Sequence, residues 1–361
     1  KPSRAIASRV YWTTSLLIAV TTTIGIVTGD MRPVIAAIYF ALGFAVQRAS
    51  FCSASMISAV VLSRDMRGLV AIIVAVLTAM LGFGLMHTTG LITVYQSRIS
   101  LLPAAISGLI FGVGMVFAGG CVSGSLFKAT EGRWPSMLAV TGIFVGMTAG
   151  MSTWGRSLIA YLAEIGSSWN PPPNLSPTDG ASFSHLATGI ALIGLASLSL
   201  VYRRQILTFR LSDIFPADGR WKPLGVALIV GLLGWAAFLA GPAVGRYYPL
   251  GASHIPRAMV SSTLHGEIHV AGFLAWTFML GSALSAWMRG EIRWRSAPTD
   301  TLVLAFGGGV LVGLGAIIGG GCFVGQILSG WALLASHALI FGVVMILANW
   351  VTTLFYLRGW S

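Results

Sequence analysis

Two apolar stretches of this chain are interrupted by the same Gly-Gly-Cys tripeptide. Residues 108–124 read GLIFGVGMVFAGGCVSG and residues 309–325 read GVLVGLGAIIGGGCFVG. Aligned on Cys121 and Cys322, the copies lie 201 residues apart (322 − 121). Gly108, Gly112, Gly114, Gly119, Gly120 and Gly124 then fall on Gly309, Gly313, Gly315, Gly320, Gly321 and Gly325. Each copy is an apolar half-span, a glycine break and a short second helix. Glycine-interrupted hydrophobic segments at corresponding positions of two halves point to a solute site near the membrane midplane.

That reading needs a bilayer, and the composition supplies it. Of 361 residues, 56% are hydrophobic and 9% charged, against about 25% charged in a soluble domain. Several apolar runs approach the roughly 20 residues that cross a bilayer. The 45 glycines suit close helix packing in lipid. The expected fold is an all-α polytopic membrane protein of about nine to ten spans. It is an inverted structural repeat whose re-entrant or broken helices meet at the midplane. A multi-pass place in the cell's inner (plasma) membrane follows. The formal charge of +12 reads as basic cytoplasmic loops against lipid headgroups, so no nucleic-acid partner is expected.

The chain divides into an extra amino-terminal helix (1–33), a first repeat (34–163), a connector with one span and a basic loop (164–223) and a second repeat (224–361). In the first repeat, the short run Val34–Val46 leads through Gln47-Arg48-Ala49-Ser50-Phe51-Cys52 into a second run ending near Leu62, a re-entrant pattern. Full spans are expected at Leu69–Leu91 and Met137–Ala163. The connector opens on Trp169-Asn170-Pro171-Pro172-Pro173, which cannot be helical throughout. Arg203, Arg204, Arg210, Arg220 and Lys222 make the most basic loop, assigned to the cytoplasm by the positive-inside rule. Gly241–Arg257 is irregular, and at the 201-residue offset its Ser253 meets Cys52. With this orientation Arg64 and Arg67 also lie inside, but Lys1, Arg4 and Arg9 are expected outside, against the rule.

The breaks carry chemistry. Backbone polar groups at membrane depth must be paired or face a cavity. Gly-Gly-Cys frees the N–H groups at the start of the following helix, and those groups with the helix dipole attract anions. Gly119, Gly120, Gly320 and Gly321 are therefore candidate binding positions, since glycine lets a solute approach the backbone. Gly108, Gly112, Gly309 and Gly313 read instead as helix-packing faces.

The three cysteines, Cys52, Cys121 and Cys322, form no CxxC pair and no zinc cluster. Any one alone reads as a small core residue. Together they sit at breaks, two of them at equivalent positions. A neutral thiol is a weak donor and a soft acceptor, suited to a solute with a soft sulfur end. Lys128, Glu131 and Arg133 read as a salt-linked helix end or a solute gate. Arg48 either attracts anions or snorkels to headgroups. His265, Glu267 and His269 read as a polar loop end. No metal or cofactor is expected, and GGCVSG lacks the ending of a phosphate loop.

Gln47-Arg48-Ala49-Ser50-Phe51-Cys52, Gly119-Gly120-Cys121-Val122-Ser123-Gly124 with Glu131-Gly132 behind it, and Gly320-Gly321-Cys322-Phe323-Val324-Gly325 together resemble the YeeE/YedE family of membrane proteins, which includes thiosulfate uptake transporters. The resemblance covers nearly the whole chain apart from Val10–Thr28. It implies an inverted-repeat fold with short loops meeting at the centre. It also implies a line of thiols, Cys52, Cys121 and Cys322, that passes thiosulfate or a related sulfur- or selenium-containing solute by S–H hydrogen bonds. By the same analogy a small cytoplasmic sulfur-accepting protein is a partner. The alternative is a membrane sulfurtransferase that uses the same cysteines as persulfide carriers.

Overall fold

In lipid every backbone N–H and C=O must be paired within the chain, so long apolar segments become helices. The computed structural model describes residues 4–92, 99–166, 180–201, 220–242, 248–251 and 270–358, and these are helical, with isolated bridge residues in place of any strand. The first half contains α1 (Arg4–Thr28), α2 (Arg32–Arg48), α3 (Ser53–Leu62), α4 (Arg67–Thr88), α5 (Leu101–Phe117), α6 (Val122–Thr130), α7 (Trp134–Met151) and α8 (Thr153–Ile165). Then follow α9 (Gly180–Val201), α10 (Pro223–Ala240), α11 (Val270–Arg289), α12 (Thr299–Ile318), a π-helix (Val324–Trp331) and α13 (Ser336–Arg358). Eight candidate spans among the described residues are long and apolar enough to cross a membrane. The chain is a multi-pass membrane protein.

Helix contacts run through glycines, and they fix the direction of each helix. A Cβ on Gly108 would lie 2.6 Å from the Phe341 carbonyl oxygen, and Gly112 faces Met345 and Ala348. The Phe117 and Tyr356 rings meet edge-on at 5.2 Å, so α5 and α13 run parallel. Gly309 faces Ala139 and Gly313 faces Ile143 and Met147, so α12 and α7 also run parallel. The four glycines read as packing faces do pack helices. Between these pairs α5 and α12 are antiparallel: Gly114 faces Leu311 and Val312, while Gly315 faces Phe111 and Ser107. A second set repeats the arrangement. Gly43 faces Phe278 and the Arg48 carbonyl takes a bond from Arg289, so α2 parallels α11. Gly231 faces Ala75 and Thr78, and Trp235 fills the notch at Gly82, so α10 parallels α4. Trp235 Nε1 donates to the Thr78 carbonyl at 2.7 Å.

The expected single span Met137–Ala163 is two helices. Ser152 is extended (ψ 166°), and its hydroxyl accepts from Gly155 N at 3.3 Å, which starts α8 in a new direction. Trp154, Leu158, Tyr161 and Ile165 form an exposed stripe on α8, the pattern of a helix lying in the membrane interface.

Candidate functional site

Both Gly-Gly-Cys breaks have the same backbone. Gly119 has φ 65° and Gly320 has φ 69°, the left-handed region where a Cβ costs about 1–2 kcal/mol. Gly119 N bonds to Val116 O and Gly320 N to Ile317 O, both at 3.2 Å. Each preceding helix therefore stops on a glycine in the usual manner of a helix carboxyl end. The chain then restarts at a cysteine. Ser125 N bonds to Cys121 O and Gln326 N to Cys322 O, both at 2.8 Å, and Met56 N bonds to Cys52 O at 3.0 Å.

Each cysteine carbonyl thus accepts the first bond of a short helix, which is the N-cap role. Side chains that cap well are Ser, Thr, Asp and Asn. Neither Cys52 nor Cys121 makes a side-chain cap bond, and the first N–H groups of a helix have no partner within it. Gly120 and Gly321 keep the space above the restart clear. A Cβ on Gly120 would lie 3.0 Å from Ser125 N, and one on Gly321 3.2 Å from Gln326 Nε2.

All three cysteines are outside disulfides and buried, and they belong to one core. Gly124 brings two of them together: a Cβ there would lie 3.0 Å from Cys52 Sγ and 3.6 Å from Cys121 Sγ. Cys121 Sγ is 3.3 Å from Ser123 Oγ. The residues following all three cysteines, Ser53, Ser123 and Phe323 with Val324, line one cavity of about 20 Å³ with Tyr39, Phe51 and Phe278. That is room for roughly one water, so the centre is closed to anything larger. At the second break Gly325 faces Tyr248 and Gly251, and Tyr248 Oη donates to Gly325 O at 2.6 Å. The candidate Ser253, two residues beyond, lies outside the described residues, as do His265, Glu267 and His269.

The breaks differ in the side chain that reaches back to a carbonyl ahead of the cysteine: Gly119 O, two residues before Cys121, or Gly319 O, three residues before Cys322. Lys128 Nζ donates to Gly119 O at 2.5 Å and also neighbours the Cys52 thiol. At the second break the neutral amide of Gln326 donates to Gly319 O. Beside the first break opens a larger cavity of about 360 Å³, lined by Gly119, Lys128, Arg133, Ser136, Arg295 and Thr301 among others.

Sequence reasoning missed a charged belt at this end of the molecule. Gln47 Nε2 donates to Glu131 Oε1 at 3.3 Å and to Glu291 Oε2 at 2.9 Å. Glu131 pairs with Arg133 at 2.9 Å, and Glu291 with Arg289 at 2.6 Å and Arg220 at 3.5 Å. Glu131 and Arg133 thus form the salt-linked helix end, while Lys128 faces the cavity. Arg48 does not snorkel. It is buried, with its guanidinium 6.0 Å over the Trp221 ring. The signal available in the sequence was Glu291, an acid set inside the Arg289–Arg295 run.

The family model described as Sulphur transport matches residues 48–351. The chain belongs to the sulphur transport family. The kinship read from the three cysteine motifs is thereby borne out. Among its relatives is the thiosulfate transporter TsuA of Escherichia coli (strain K12), 28% identical over 330 residues, covering 88% of this chain and 92% of that protein. The thiosulfate transporter TsuA of Spirochaeta thermophila is 28% identical over 331 residues, covering 86% and 94%. Within this sulphur transport chain the matched segment holds all three cysteines and both breaks.

Proposed function

We propose that this chain takes up thiosulfate, or a closely related small sulfur-containing anion, across the inner (plasma) membrane, and that Cys52, Cys121 and Cys322 relay it through S–H hydrogen bonds. The observation that carries this reading is the use of cysteine, a poor capping residue, at the N-cap of short helices whose starts meet in one core. Stripping water from an anion without replacement is prohibitive. The N–H groups at the starts of the short helices after Cys121 and Cys322 replace that water at the oxygens. Neutral thiols donate weakly to the outer sulfur and release it, and conduction needs several modest sites rather than one tight one. Both named relatives are thiosulfate transporters, which favours transport over sulfurtransfer by the same thiols.

The chain is also proposed to be an inverted repeat. In support, α5 and α12 are antiparallel equivalents, and the parallel pair of α5 with α13 is mirrored by α12 with α7. The parallel pair of α2 with α11 is likewise mirrored by α10 with α4. One end of the bundle then gathers Arg48, Arg67, Arg133, Lys222, Arg289 and Arg295, and we assign it to the cytoplasm. In this frame α2 starts at the outer face. A crossing by the 25-residue α1 returns the amino end to the cytoplasmic side, which removes the conflict over Arg4 and Arg9. A small sulfur-accepting protein, if one docks, does so at this basic end. Since the centre has room for about one water, transport requires local opening around Phe51 and Phe323.

The test is uptake of labelled thiosulfate by cells that depend on this chain for sulfur. The reading requires saturable uptake that is lost in Cys121→Ala and Cys322→Ala at unchanged membrane levels. Normal uptake by both variants overturns the relay.

A further inference from the structure

The cavity beside the first break assembles cations that the relay of thiols does not use. Lys128 stands on the last turn of α6, and Arg133 and Arg295 come from two different interhelical turns. Backbone bonds hold those turns together: Arg293 N to Glu131 O and Arg295 N to Gly132 O at 3.0 Å, and Trp134 N to Arg295 O at 3.1 Å. The two arginines are thereby fixed opposite one another in a parallel bridge. Of the three cations only Arg133 has a carboxylate partner among the described residues, Glu131. Among the described residues, the cavity lining contains no acidic one. Both arginine side chains border the cavity, and cations that share one cavity favour an anion between them. Lys128 spends one of its three donors on the Gly119 carbonyl and has others to offer.

We propose that this basin is a second anion site, specific for the oxyanion end of the solute, at which the transported anion rests on the cytoplasmic side of the thiols. Lys128 and Arg295 hold the oxygens, with the hydroxyl of Ser136 as a further donor. This rests on the transport reading given above. Lys128 is the hand-over residue, because the same ammonium borders both the Gly119 carbonyl and the Cys52 thiol. An anion leaving the thiols meets a cation there, whereas at the second break it meets the neutral amide of Gln326. Two breaks with one backbone geometry thus differ in charge, and the passage becomes electrically one-sided. The basin is also blunt in its chemistry. Guanidinium and ammonium groups read tetrahedral oxyanions generally, so sulfate, which has no soft sulfur for the thiols, still fits here.

Sulfate is therefore the probe. Right-side-out membrane vesicles carrying the full chain are loaded with sulfate, and initial uptake of labelled thiosulfate is compared with sulfate outside and with none. In the wild-type chain, luminal sulfate is expected to slow uptake several-fold and external sulfate to have little effect. In Lys128→Gln and Arg295→Gln the luminal effect is expected to vanish, and in Lys128→Arg to persist. As a readout independent of transport, sulfate should raise the melting temperature of the purified wild-type and Lys128→Arg proteins but not of Lys128→Gln. If wild-type vesicles transport no thiosulfate, the transport reading fails, and the melting shift alone then decides the basin. If they transport it but sulfate has no effect, a lipid phosphate or nothing fills the basin, and the inference is overturned. It is equally overturned if the two glutamine variants keep full sensitivity.

Discussion

Gly124 and the cysteines around it concentrate the account at the scale of single residues. The relay needs soft donors at helix starts, so hydroxyl replacements are informative. Serine is among the better N-cap residues, worth about 1 kcal/mol over a non-capping residue. Cys121→Ser should therefore leave the folded protein at least as abundant while uptake falls sharply. Radiotracer uptake normalised to membrane level measures both at once, and undiminished uptake would show that sulfur is dispensable. Gly124→Ala places a methyl group 3.0 Å from Cys52 Sγ, tighter than ordinary contact. It is expected to impair uptake more than stability, and alkylation of Cys52 in the variant should change in rate. The two break cysteines were legible in the sequence because a repeat pairs them. Gln326 was not, because a lone glutamine carries no pattern until its amide is seen on Gly319 O.

The broken helix is the working element. Its glycines divide by cause: Gly119 has open space around it and only its φ of 65° demands glycine, whereas Gly320 also has Ile99 Cδ1 2.6 Å from where a Cβ would sit. Gly119→Ala should cost about 1–2 kcal/mol from backbone strain, and Gly320→Ala more. Thermal unfolding in detergent would rank them, and an equal or reversed order would contradict this geometry. The sequence placed both breaks correctly, since glycine pairs inside apolar runs have few other uses. It did not reveal that the second short helix is a π-helix at Val324–Trp331, nor that the run after Met137 bends at Ser152. The bend turns on a local serine cap, and the π-helix is tied by hydrogen bonds to distant residues. Ser329, which bonds both to Leu250 N and to Leu250 O, is one such tie.

At the scale of the whole molecule, the charged belt joins α2, the α6–α7 turn and the α11–α12 turn. Glu131 is buried and shared by Gln47 and Arg133. Removing the Glu131 carboxylate leaves the buried Gln47 amide short of an acceptor at a cost of about 1–3 kcal/mol, while the part-exposed Arg133 can turn to water. Glu131→Ala should lower the melting temperature or the yield of folded protein, and a variant as stable as the wild type would show the belt to be incidental. The all-helical membrane fold was plain from composition and period alone. The pairing of helices was not, since glycine faces tell that a helix packs but not against which partner.

The central claim is that the anion passes between the two broken helices in contact with their thiols. The most direct measurement is a structure of the full chain soaked with selenosulfate, in which selenium replaces the outer sulfur of thiosulfate, with data collected for selenium anomalous signal. The account predicts a selenium peak between Cys121 and Cys322, within hydrogen-bond reach of a thiol, with the oxygens toward the N–H groups of a short helix. Selenium found only at the protein surface, in a protein that transports the compound, would contradict it.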